Sequence, residues 1–305
     1  MLTGFAGMDA VARTRAAWQA ALAAPIGAAA ALGALTAGST AVAVATMAVV
    51  AAGAGYSFAV SLRFSIAGLM VALSLLISQG LFLTPADAVP AFLFATAGGI
   101  VQVGFSLAIW AWERPRPEPV WDWRGGVADL RANLTLRSHA FRHAMRFGAA
   151  MAAGVATYRL LGMKGHGFWV PLTILFVLRP EEDETMHRLV LRAVGTALGL
   201  IIATALGEAL VGDEVVVALV LAVAIGFAYG LLTVQYALFT TAITVFAVLL
   251  ADTLGEGALR AAGQRAYATA IGIAIAAVAF LIWSNPGRGE EAAEDAALAR
   301  PEPAR

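Results

Sequence analysis

The chain has 305 residues, of which 60% are hydrophobic and only 20 are basic and 20 acidic. Soluble domains run to roughly 45–50% apolar and 25% charged residues, so a water-soluble fold is nearly excluded, and the 31 glycines suit helices packed in lipid. A formal net charge of zero removes the electrostatic footprint that nucleic-acid binding needs, and the lack of cysteine excludes disulfide frameworks and thiolate chemistry.

An ionisable side chain at the bilayer centre costs about 2.5–3.5 kcal/mol on insertion scales, so charge-free runs map the spans. No Asp, Glu, Lys or Arg occurs in residues 16–62, 64–86, 88–112, 147–158, 165–178, 193–207, 215–251 or 266–287. A helix needs about 20 residues to cross roughly 30 Å of hydrocarbon, so 16–62 and 215–251 each hold two spans. The run 147–158 crosses only if Arg146 or Arg159 snorkels or faces protein.

These runs predict an all-α polytopic membrane protein of about ten transmembrane helices, near 18–37, 39–58, 64–82, 88–112, 142–162, 166–179, 189–208, 214–232, 234–251 and 265–283. The helices fall into two halves, about four in residues 1–112 and about six in residues 142–283. Between them, 113–141 reads as a cytoplasmic linker rich in Arg and Pro, with helical spacing from Val127 to Arg142, and 284–305 reads as a disordered cytoplasmic tail.

Short cytoplasmic loops collect Lys and Arg. With the N-terminus inside, Arg13, Arg15, Arg63, the linker, Arg179, Arg188, Arg192 and Arg288 fall on the cytoplasmic side. Asp87, Lys164, Asp213, Glu214, Asp252, Glu256 and Arg260 then fall outside, which puts both termini in the cytoplasm. The first apolar stretch continues without a polar break toward Ser39, so it is expected to be an uncleaved span rather than a signal peptide. An offset of 129 residues aligns Arg13 with Arg142, Gly38 with Gly167, Arg63 with Arg192 and Leu69 with Leu198. A repeat and plain low-complexity composition both produce such a match; transporters built from repeats place their pathway between them.

The stretch His166 to Gly199 reads HGFWVPLTILFVLRPEEDETMHRLVLRAVGTALG. It joins the aromatic pair Phe168-Trp169, then Pro171 and Thr173, an Arg179-Pro180 helix stop, an acidic turn, and Arg192-x-x-Gly195-Thr196-x-x-Gly199. This pattern resembles the membrane domain of the fusaric acid resistance family, also called the aromatic acid exporter family, over roughly residues 140–283. The resemblance implies a secondary transporter of the inner membrane that exports small aromatic or other organic acids, and it suggests a homodimer. Full-length members of that family commonly carry two six-helix halves and sizeable soluble domains, whereas here the first half has about four helices and the interior soluble segment about thirty residues. Plant malate-type anion channels share the same helix pattern.

The residues themselves suggest a pathway. Trp169 is either an aromatic-belt residue or a ring that stacks on a planar substrate, and Thr173 one turn on either lines the same face or bonds its own backbone. Arg192 borders a charge-free run and shares a helix face with Gly195, Thr196 and Gly199. A guanidinium keeps its charge and forks well onto carboxylate, so one of Arg146, Arg159 and Arg192 is expected to contact an anion, with positive-inside anchoring the competing reading for Arg192 and interfacial snorkelling favoured for Arg159. The substrate-binding candidates are thus Arg146, Trp169, Thr173, Arg192 and Thr196. Glu208, in LGEALVG, and His166 are the proton-coupling candidates, with a snorkelling acid and a loop histidine as the plainer readings. Gly195 with Gly199, and Gly226 with Gly230, have the spacing that lets helices approach closely.

There is no phosphate-binding loop motif, and His139 and His143 lack the glutamate of a zinc-protease helix. No catalytic residue, metal or cofactor is expected, and no enzyme. The expected partners are a small organic anion and membrane lipid, with no nucleic acid. A passive organic-anion channel and a non-transporting membrane scaffold are the alternatives to the exporter.

Overall fold

The computed structural model describes residues 3, 10, 12–81, 84–110, 112, 123–136, 138–163, 165–210, 212–231 and 234–282. Within them lie eleven α-helices: α1 (Ala12–Thr36), α2 (Thr40–Tyr56), α3 (Leu62–Gly80), α4 (Ala88–Trp110), α5 (Trp123–Ala132), α6 (His139–Leu160), α7 (Trp169–Val177), α8 (Glu182–Ala209), α9 (Glu214–Leu231), α10 (Tyr236–Thr253) and α11 (Ala258–Ile282). No strand occurs among the described residues. The chain is an all-helical, multi-pass membrane protein. The tail 284–305, Lys164 and most of the Pro-rich start of the linker lie outside the described residues.

Local chemistry sets several of the boundaries. Ser39, Ser61 and Ser138 stand in extended backbone before α2, α3 and α6, and each side chain accepts a hydrogen bond from a first-turn backbone N–H. Ser138 therefore starts α6 afresh, and the helical spacing expected from Val127 onward is split into α5 and α6 by the break at 133–138. The α8 start also lies earlier than the apolar run suggests, at Glu182, because acids favour a helix N-terminus.

Eight helices are long and apolar enough to cross a membrane by length and composition: α1, α2 with the 3₁₀ turn after it, α3, α4, α8, α9, α10 and α11. The other two expected spans differ. α6 is 22 residues long but carries Arg142, Arg146 and Arg159. α7 has nine residues, a rise of about 14 Å, which is half the hydrocarbon thickness. Its last turn gives way to extended Leu178, since the Arg179-Pro180 step cannot continue a helix. α7 is thus a half-helix, buried from Val170 to Val177.

Contacts at the helix ends show which ends share a side. Tyr56 at the end of α2 donates to Leu130 O and packs edge-on against Phe141 at the start of α6. At the opposite end, Arg159 of α6 donates to Ala37 O and Gln79 O, beyond α1 and within the last turn of α3. There too, His166 pairs with Glu256. One end therefore holds Arg131, Arg142, Arg179 and Arg188 with Asp129 and Glu184, and the other holds Asp87, Asp213, Asp252 and Glu256 with Arg159 and Arg260.

The two halves share a core, since one buried cluster draws on α1, α2, α3, α6, α7, α8, α9, α10 and α11. Their seam is α2 against α6. A Cβ at Gly148 would lie 2.7 Å from Ala48 O, so the two backbones nearly touch there.

Candidate functional site

The interior of the C-terminal half contains two arginines that are completely buried. Arg192, on α8, is 0% exposed and Arg265, on α11, is 1% exposed. Their guanidiniums are within electrostatic reach of one another. Neither forms an ion pair with any described carboxylate. Arg192 donates from Nη2 to Thr173 Oγ1 at 3.5 Å, while its Nε and Nη1 have no hydrogen-bond partner among the described residues. For Arg265, Nε, Nη1 and Nη2 all lack one.

Helix α7 supplies the floor of this site. Arg265 lies over Trp169, its guanidinium carbon 3.5 Å from the ring centroid. Trp169 in turn stacks on Phe168 at 4.8 Å. Trp169 is the first residue of α7, so the positive end of that short helix adds to the same field. Thr173, one turn on, donates to Trp169 O at 2.9 Å and accepts from Arg192, so it both bonds its own helix and lines the site. Close helix approach makes this geometry: a Cβ at Gly272 would meet Val170 O at 2.6 Å and Thr173 Cβ at 2.7 Å.

Buried hydroxyls occupy the same helices and their neighbour α10. Thr196 follows Arg192 by one turn on α8, and Thr269 follows Arg265 by one turn on α11. On α10, Thr240 and Thr244 pack against Gly195 and Gly199, where Cβ atoms would fall 2.8 Å and 2.6 Å from the threonine Cβ atoms. Thr196, Thr240, Thr244 and Thr269 are buried, and their hydroxyls have no hydrogen-bond partner among the described residues.

Burying one unpaired guanidinium costs several kcal/mol even after relaxation, and a guanidinium does not discharge by losing its proton. Two such guanidiniums within electrostatic reach of each other, with buried threonine hydroxyls on the same helices, are an arrangement that a bound anion would neutralise. The planar forks match a carboxylate.

The other sequence candidates lie elsewhere. Arg146 is buried, but its Nη2 donates to Arg179 O at 2.8 Å, beyond the C-terminus of α7, where helix-end carbonyls need donors. It also borders an apolar cavity of about 380 Å³ between α6 and α11. Arg159 donates to carbonyls at the ends of α1 and α3. Glu208 is exposed in the last turn of α8, and His166 is held by Glu256 at the helix ends. Gly195 and Gly199 seat α8 on α10, whereas Gly226 and Gly230 on α9 face open space.

Sequence reasoning missed Arg265, Tyr236, Thr240, Thr244 and Thr269. A signal for Arg265 existed: it borders the charge-free run 266–287 as Arg192 borders 193–207, and Arg265-x-x-x-Thr269 repeats Arg192-x-x-x-Thr196.

A second group of charges adjoins the site at one end. Arg188 precedes Arg192 by one turn on α8, and its guanidinium carbon lies 4.8 Å from the centroid of the Tyr236 ring. Arg188 donates from Nε at 2.8 Å and from Nη2 at 2.7 Å to a single oxygen, Glu184 Oε1. That same oxygen is 3.9 Å from Arg179 Nε.

The described helices thus make a membrane bundle with a half-helix and two buried arginines without carboxylate partners in its C-terminal half. Residues 149–279, within the C-terminal membrane half, match the family model described as fusaric acid resistance protein-like. The chain is 39% identical to the inner membrane protein YccS of Escherichia coli over 160 residues, 51% of this chain and 22% of that protein. It is 33% identical to the uncharacterized protein slr1298 of Synechocystis over 132 residues, 43% of this chain and 16% of that protein. A third relative, the uncharacterized protein ORF2 of Neisseria gonorrhoeae, is 38% identical over 73 residues, 24% of this chain and 17% of that protein. The chain thus spans less than a quarter of each of these relatives. No solved structure matches it.

Proposed function

We propose that this chain is the membrane part of a secondary transporter that exports small aromatic or other organic acids across the bacterial inner membrane, with both termini in the cytoplasm. The buried, uncompensated Arg192–Arg265 pair carries the reading. A carboxylate would bind between the two guanidiniums, and Trp169, whose faces are taken by Arg265 and Phe168, would meet an aromatic ring with its edge. Thr173 and Thr196 supply hydroxyl donors beside Arg192. The test is efflux of a panel of aromatic carboxylates from cells or vesicles. Faster efflux with the chain than without it, lost in Arg192→Gln and Arg265→Gln, is the expected result; equal accumulation across the whole panel would overturn the proposal.

One observation favours a passive anion channel as a second reading. Glu208 is exposed at the end of α8 and His166 is engaged by Glu256, so neither proton-coupling candidate contacts the arginine pair. Anion currents in a planar bilayer that persist without a proton gradient would select the channel over the carrier.

A further inference from the structure

The Glu184–Arg188 contact has the sequence spacing of an ordinary helix-surface ion pair, four residues apart on α8. Its surroundings are not those of a surface pair. One carboxylate oxygen faces two guanidiniums, Arg188 at 2.7 Å and Arg179 at 3.9 Å. Arg188 rests on the ring of Tyr236, which is buried and whose hydroxyl has no partner among the described residues. The Tyr236 phenol lies within electrostatic reach of both Arg179 and Arg265. Arg188, Arg192 and Thr196 are spaced one turn apart along α8, about 6 Å per step, and form a ladder leading inward.

Within the outer group the acid is the most exposed member, while the backbone of Arg179 is fixed. Thr185, fully buried, accepts from Arg179 N at 3.0 Å and can donate to Arg179 O at 3.2 Å, which fixes the Arg179 backbone. The Arg179 and Arg188 side chains are each 19% exposed, whereas that of Glu184 is 41% exposed and sits in the first turn of α8. Rotation of one side chain would release the carboxylate into solvent and leave the guanidiniums in place.

We infer that Arg179 and Arg188 form a second carboxylate-binding subsite at the mouth of the arginine ladder, and that the Glu184 carboxylate is its resident occupant, displaced when a free carboxylate passes. This rests on the anion-transport reading. In that sequence a carboxylate exchanges between the Arg192–Arg265 pair and the Arg179–Arg188 pair by replacing Glu184, without crossing an uncompensated gap. No bond is made or broken.

Two measurements on the full chain test this, with benzoate as the probe. In proteoliposomes, Glu184→Gln removes the competing charge and keeps the side-chain shape; KM for benzoate is expected to fall about tenfold with kcat changed far less, and Arg188→Gln to raise KM. A merely structural ion pair would move neither. Because the chain contains no cysteine, Glu184→Cys places a single thiol in the subsite. A sulfonate-bearing thiosulfonate reagent is expected to modify it about tenfold faster than a quaternary-ammonium one, and benzoate is expected to slow the reaction. An unchanged KM in Glu184→Gln, or a thiol with no charge preference and no protection, would overturn the subsite. No benzoate flux in the unmodified chain would refute the transport reading alone, and the thiol measurement would still decide the subsite.

Discussion

Replacing Arg265 by methionine separates an anion site from a structural ion pair, because the two readings give opposite signs for stability. In the present geometry Arg265 has no carboxylate partner and three guanidinium nitrogens without hydrogen bonds among the described residues. Its compensation is the Trp169 ring at 3.5 Å, worth about 2 kcal/mol when desolvated, against a burial penalty of several kcal/mol and repulsion from Arg192. Methionine keeps the length and recovers part of the ring contact through sulfur, about 0.3–1.5 kcal/mol. Arg265→Met is therefore expected to leave the anion-free protein as stable or more stable, by about 1–4 kcal/mol, while abolishing carboxylate flux. Unfolding in lipid nanodiscs, with and without benzoate, reads both quantities. Benzoate at a hundred times its dissociation constant should stabilise the unmodified protein by about 2.7 kcal/mol and leave Arg265→Met unaffected. A stability loss of about 3–5 kcal/mol, the cost of breaking a satisfied buried pair, would show that the charge is already compensated inside the protein and refute the argument.

Trp169→Leu removes the ring beneath Arg265 while keeping an apolar side chain; selectivity for aromatic over aliphatic carboxylates should fall about tenfold in competition efflux, by about 1.4 kcal/mol of lost ring contact. Arg159→Gln takes the charged donor away from Ala37 O and Gln79 O, and should cost about 1.5–3 kcal/mol in nanodisc unfolding without changing carboxylate KM. Gly195→Leu would drive a side chain into Ala237 O, 2.4 Å from its Cβ, and should destabilise the α8–α10 pair by at least the 1–3 kcal/mol of ordinary overpacking. Gly226→Leu, which meets nothing within 4 Å, should fold normally, and a change in its oligomeric state on native gels would identify α9 as an interface between copies.

The helices were legible because cost in lipid is a local property: a run without charge is apolar wherever the chain later goes. Thus α9, expected at 214–232, occupies Glu214–Leu231, and the Arg179-Pro180 stop ends α7 as the proline rule requires. What the runs could not express was how far a helix reaches. Residues 165–178 contain no Asp, Glu, Lys or Arg, but only nine of them are helical in α7, so the expected span became a half-helix. That difference reorganised the site. The short α7 lets α11 close on Thr173 through Gly272 and brings Arg265 over Trp169, 96 positions away in the chain. Arg146 and Arg192 looked equivalent at the edges of apolar runs; one is claimed by the carbonyl of Arg179 and the other by a threonine hydroxyl alone. The distinction between an anchoring arginine and a binding one lies in which helix ends come within reach of it, and helix ends meet only after folding. Arg265 follows the same logic in reverse, since its edge position reads as topology until three helices enclose it and leave its charge unanswered.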